Sequence, residues 1–121
     1  MTVAENIPAS HLSPAALGMV AEFFKMLSEV SRLEIVCCLK PGPLTVSQII
    51  EQTGLGQANV SKHLKLLTTA GILARTQQGV NVVYEIANPV IFPLCDLVCS
   101  SLVSQIQQQN QALENLKFFQ S

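Results

Sequence analysis

Charge is scarce in this chain. Only 12% of its residues are Asp, Glu, Lys or Arg, and the net charge is −1. A disordered chain combines low hydrophobicity with high net charge. With 49% apolar residues and a mean hydropathy of +0.39, this composition excludes that class. Long hydrophobic runs are also missing. No stretch of 18 apolar residues exists, so no membrane span is expected. Met1 to Ser13 has no Lys, no Arg and no apolar centre, so it reads as neither a secretion signal nor a transit peptide. The expected compartment is the cytoplasm, where thiols stay reduced. There is no CxxC pair and no HxxxH pair, since His11 and His63 are far apart, so the strong zinc-finger patterns are absent. GxSxG, the phosphate-binding loop, HExxH and paired carboxylates are absent too, which argues against an enzyme.

What is present suits one small domain. The 121 residues leave no room for two independent cores. A chain this short has too much surface to hide so many apolar side chains alone, so burial between subunits is expected. The few charges are unevenly spread. From Gln52 to Tyr84 there is no Asp or Glu, while Lys62, Lys65 and Arg75 lie inside that stretch, with His63. The stretch is at +3, which leaves the remainder at −4. A basic segment in a mildly acidic chain is the footprint of a polyanion site.

The elements read as follows. Residues 1–13 form a flexible arm. Ser13-Pro14 starts a helix over 14–27, with Leu17, Val20, Ala21, Phe24 and Leu27 along one face. Ser31 and Glu34 offer a capping box for a second helix, which Pro41-Gly42-Pro43 stops. Thr45 and Gln48 offer another box for a short helix that Gly54 closes. Leu55-Gly56-Gln57 is a tight turn. Ala58–Ala70 is then a helix with Val60, Leu64 and Leu67 on its apolar face, ended by Gly71. Two short helices joined by such a turn make a helix-turn-helix. Strands over 72–76 and 80–86, turning at Gln77-Gln78-Gly79, add a β-hairpin wing. Asn88-Pro89 opens a long last helix with Ile91, Leu94, Cys95, Val98, Leu102, Ile106, Leu113 and Leu116 along it. The expected fold is mainly α with a β-hairpin wing, dimerising through the first and last helices. Its expected divisions are the arm 1–13, a winged helix-turn-helix domain over 14–103, and an extension of the dimerisation helix over 104–121.

The stretch from Leu55-Gly56-Gln57 through Ser61-Lys62-His63-Leu64 to Ala70-Gly71-Ile72 resembles the reading-helix signature of the ArsR/SmtB family. Ser31-Arg32-Leu33-Glu34-Ile35 is similar to the helix that precedes it there, and Arg75, Gly79 and Tyr84 to its wing. The resemblance spans about residues 14–103. It implies a homodimeric winged-helix repressor that binds double-stranded operator DNA, needs no cofactor to do so, and releases it when an effector binds. In that frame Gln57, Asn59, Ser61, Lys62, His63 and Lys65 are the candidate major-groove residues. Gln57 or Asn59 could read adenine, Lys62 or Lys65 guanine or phosphate, and Ser61 phosphate. His63 reads better as packing at the helix base than as a base contact. Gln77, Gln78 and Asn81 belong to the wing, with Arg75 at its base, where an intramolecular ion pair is an equal reading.

The family's metal sites are not matched. Thr45 and Ser47 stand where arsenic sensors have cysteines, and Asn88, Val90, Ser101 and Ser104 where zinc sensors have their ligands. The remaining sensor candidates are Cys37, Cys38, Cys95 and Cys99. Cys95 and Cys99 share one helix face and could bind arsenite or antimonite with a third thiolate. Alternatively, Cys37 resembles a residue of the family's persulfide-sensing branch. That branch's second cysteine position falls here at Val103, one turn beyond Cys99, leaving a reactive-sulfur or oxidant reading open. Each cysteine also suits an apolar core. A repressor with no thiol switch, or an interaction module that does not bind DNA, remain the rivals.

Overall fold

A computed structural model describes residues 11–120. The chain forms two compact units, one ending at Ala87 and the other beginning at Asn88. The first unit runs α1 (Pro14–Leu27), α2 (Val30–Leu39), β1 (Leu44–Thr45), α3 (Val46–Thr53), α4 (Gln57–Thr69), β2 (Leu73–Gln78) and β3 (Asn81–Ile86). The second is α5 (Ile91–Gln120) with its lead-in. The expected arm lies outside the described residues over 1–10.

Local chemistry sets the helix ends. Ser13 caps α1, its hydroxyl accepting from the Ala16 amide at 3.1 Å. The Thr45/Gln48 capping box is complete, with Thr45 Oγ1 accepting from Gln48 N at 3.2 Å and Gln48 Oε1 from Thr45 N at 2.9 Å. The Ser31/Glu34 box does not form. Helix α2 starts earlier, at Val30, with Glu29 as an N-cap that makes no side-chain cap bond. Arg32 explains the early start. Its Nε donates to Met26 O at 2.7 Å, its Nη2 to Lys25 O at 3.2 Å and its Nη1 to Glu29 Oε2 at 2.9 Å. The guanidinium thus partners the Met26 carbonyl at the end of α1 and adds to Lys25 O, which also accepts from Ser28.

Helix α4 closes in a two-bond motif. Ile72 N donates to Leu67 O and Gly71 N to Thr68 O, both at 3.0 Å, and Ile72 and Leu67 are both fully buried. Gly71 sits at φ 78°, the left-handed region this closure requires.

The core of the first unit joins Ile35, Val36 and Leu39 of α2, Ile49 of α3 and Val60, Leu64 and Leu67 of α4 to Ile72, Leu73 and Val83. Beside it lies a three-stranded antiparallel sheet in the order β1-β3-β2. Strand β1, not anticipated from the sequence, pairs Leu44 with Tyr84 and Thr45 with Val83. The hairpin is longer than expected. Gln77 and Gln78 belong to β2, and Gln78 pairs with Asn81. That leaves a two-residue turn, Gly79-Val80, with φ 64° at Gly79 and no positive φ at Val80, the pattern of a type II′ turn. Two-residue turns of this kind match the twist of paired strands, which is why the ladder runs to the tip.

In the second unit Asn88 Oδ1 accepts from Val90 N at 3.1 Å across a turn at residues 89–90, so α5 opens at Ile91 rather than at Pro89, with Pro93 in its first turn. Helix α5 runs 30 residues and passes through positions 103 and 104 without a break. No helix among the described residues is long and apolar enough to cross a membrane.

The Gly71 closure yields a stability test. No atom lies within 4 Å of where a Cβ on Gly71 would stand, so the strain of Gly71→Ala comes from the positive φ alone. The variant should lose about 1 kcal/mol, read as a lower urea midpoint at unchanged m-value. An unchanged midpoint would show that the closure does not hold the end of α4.

Candidate nucleic-acid interface

Helix α4 is amphipathic in a way that decides which residues can meet a partner. Val60, His63, Leu64 and Leu67 face the core. Gln57, Ala58, Asn59, Ser61, Lys62 and Lys65 are exposed. The buried set recurs at three- and four-residue spacing, so the outward set forms the opposite stripe of the same helix. Gly56 is the N-cap and contributes no side-chain cap, so no side chain screens the first-turn amides at the outward end. Neither Lys62 nor Lys65 has a carboxylate partner among the described residues, so both ammonium groups stand in solvent.

His63 is not part of that stripe. Its residue is 3% exposed, and Nε2 lies 3.2 Å from Glu29 Oε1. Its candidacy as a groove residue is corrected accordingly: the three-residue step from Val60 turns the ring inward, where it lies against the carboxylate at the N-cap of α2. The packing alternative noted from the sequence is the one the structure shows. Glu29 was not singled out from sequence. Its only visible signal was its i, i+3 relation to Arg32, which is common on helix surfaces.

The wing adds a second outward group. Arg75, Gln77, Gln78 and Asn81 are all exposed. Arg75 lies opposite Tyr84 in the ladder and has no ion pair among the described residues. The ion-pair reading of Arg75 is therefore not realised within the described chain. Gln77 Nε2 donates to Gly79 O at 3.0 Å, which braces the turn. The hairpin tip presents Val80, 95% exposed.

The thiols differ in setting. Cys37 and Cys99 are exposed, whereas Cys38 and Cys95 are half-buried. Cys38 Sγ donates to Ile35 O at 3.0 Å. Burial, with the neighbouring Cys37 adding to it, pushes the Cys38 thiol above its usual range, against a smaller lowering by the backbone. A raised pKa means less thiolate, so Cys37 is the more available of this pair. Cys95 and Cys99 sit one turn apart on α5. Among the described residues of one chain, no group of three or more His, Cys, Asp or Glu side chains is placed to hold a metal ion.

Comparison with known proteins agrees with this arrangement. Residues 29–75 match the family described as "Bacterial regulatory protein, arsR family". The HTH-type transcriptional regulator NmtR of Mycobacterium tuberculosis is 32% identical over 91 residues, which is 75% of this chain and 76% of that protein. The crystal structure of M. tuberculosis Rv0081 superposes with a TM-score of 0.73 at 28% identity, covering 81% of this chain and 98% of that one. The solution structure of Mb0332 from Mycobacterium bovis is described as a homodimeric winged helix-turn-helix DNA-binding domain. It superposes with a TM-score of 0.71 at 26% identity, covering 82% and 94% of the two chains. These are DNA-binding regulators rather than enzymes. With its helix-turn-helix, its wing and the matched stretch between Glu29 and Arg75, this chain belongs to the arsR family of bacterial transcriptional regulators.

Proposed function

We propose that the chain works as a homodimer that holds a two-fold symmetric operator through α4 and the wing and represses transcription from it. The observation that carries this reading is the exposed, acid-free stripe of α4. Gln57 and Asn59 offer paired donor and acceptor groups for adenine, Ser61 a hydroxyl for phosphate, and Lys62 and Lys65 unpaired cations. Gln78, Asn81 and Arg75 extend the same polar surface along the wing. The dimer reading is supported by apolar faces that one protomer leaves uncovered. On α1 these are Leu17, Val20 and Phe24, and on α5 Val98, Leu102, Ile106, Leu113 and Leu116, all exposed. Monomers seldom expose contiguous apolar surface of that extent. The homodimeric state of the Mb0332 domain points the same way.

The effector, in this reading, is a soft metalloid of the arsenite or antimonite type captured by cysteine thiols. Cys95 and Cys99 would supply two thiolates from one face of α5, and soft thiolates select soft ions. Capture must favour the form of the dimer with low DNA affinity, by a coupling of about 1–3 kcal/mol.

Two experiments test these claims. Fluorescence anisotropy on a duplex from the gene's own upstream region should show affinity falling steeply with salt. For Lys62→Ala and Lys65→Ala the log–log slope should become shallower by about 1 per phosphate contact removed. Unchanged affinity and slope in the double variant would remove α4 from the interface. In the second experiment trivalent arsenic is added to the reduced complex. Release of DNA is expected, and it should be lost in Cys95→Ser/Cys99→Ser. A complex indifferent to arsenic but released by a persulfide donor would move the effector to reactive sulfur. Indifference to both would leave a repressor without a thiol switch.

A further inference from the structure

One polar chain in the first unit, whose Arg32 end fixes the start of α2, also reaches the middle of α4. It begins at His63, in the middle of α4. Its Nδ1 is buried without a hydrogen-bond partner, and its Nε2 lies 3.2 Å from Glu29 Oε1. The other oxygen of the same carboxylate, Oε2, accepts from Arg32 Nη1 at 2.9 Å. Arg32, with a side chain only 11% exposed, passes the link on through Nε to Met26 O at 2.7 Å and Nη2 to Lys25 O at 3.2 Å. Three helices are therefore linked by polar contacts in one line: the middle of α4, the N-cap and first turn of α2, and the last turn of α1.

We infer that His63, Glu29 and Arg32 form a positioning relay that fixes the rotation of α4 about its own axis against the end of α1. Among the described residues Glu29 is the one polar partner of the His63 ring, so this carboxylate sets where the ring lies. Asn59 and Lys62 precede His63 by four and one residues on the same helix. Their outward angle is thus fixed by where His63 is held. Apolar packing alone fixes such an angle loosely, because it is non-directional, whereas the close approach of Nε2 to Oε1 ties the ring to one point on α2. Helix α1 carries one of the two uncovered apolar faces, so anchoring α4 to its end transmits the geometry of a dimer contact to the reading stripe. The inference rests on the dimeric operator-binding reading. Its specific consequence is that the relay sets the half-site spacing the dimer accepts.

The test compares two duplexes. One carries a palindrome that the chain itself selects from a random pool, and the other has its half-sites moved one base pair apart. The wild-type chain should prefer the selected spacing. Glu29→Ala and His63→Leu should lose that preference by roughly fivefold or more, while still binding either duplex. His63→Gln, whose amide nitrogen can take the place of Nε2 beside Glu29, should keep it. Glu29 is 45% exposed at its side chain and makes no cap bond, so Glu29→Ala leaves the apolar core filled even if His63→Leu folds poorly. A Glu29→Ala chain with wild-type spacing preference would overturn the relay. So would equal weakening on both duplexes in step with a lower Tm, since that marks general destabilisation. A wild-type chain that binds both spacings alike would overturn the dimeric operator reading itself, and the relay with it.

Discussion

Everything on the outer surface of the first unit depends on one inward stripe. Val60, Leu64 and Leu67 are fully or almost fully buried against residues of α2, α3 and the strand pair. Burying such side chains stabilises the unit by roughly 1.5–3 kcal/mol each, and no arrangement that turns them outward can compete. Because an α-helix has a fixed 3.6-residue turn, choosing the inward residues also chooses the outward ones. The polar stripe from Gln57 to Lys65 is exposed because its neighbours are buried. Its function needs no separate device to bring it to the surface.

The division between one protomer and its assembly follows from the same bookkeeping of apolar area. Helix α2, α3 and α4 all bury side chains within the first unit, whereas α1 buries none and α5 only Ile91. The composition already carried this signal, being more apolar than a core of this size can absorb. The two helices with least internal burial are the ones with the widest uncovered apolar faces, Phe24 of α1 and Leu116 of α5 among them.

Much of this was legible in the sequence, and for identifiable reasons. Helix ends with side-chain chemistry were read correctly where that chemistry is local. Ser13, the Thr45/Gln48 box, Gly54 and Gly71 each act within a few residues of their own position. The Ser31/Glu34 box had equally good local credentials and failed, because Arg32 ties the start of α2 to carbonyls at the end of α1. That bond is tertiary, and no window of sequence contains its geometry. Strand β1 was missed for a related reason. Two residues have no periodicity to detect, and they are extended only because β3 lies beside them. The hairpin turn was placed two residues early because glutamines resemble loop residues by composition, while the ladder continues through them to Gly79. In the candidate site, the outward polar residues followed from the apolar period. His63 was ambiguous because its chemistry suits DNA while its position, three residues after Val60, suits the core.

Thr45 belongs to two structures at once. Its backbone lies in β1 opposite Val83, while its hydroxyl and amide close the first turn of α3. A winged domain is often pictured as a reading helix with a separate flap. Here the inner strand of the flap is stapled, through a single residue, to the first helix of the reading motif. A tilt of the hairpin must therefore carry the start of α3 with it, so the wing and the helix pair move as one tool with a fixed angle between its two blades.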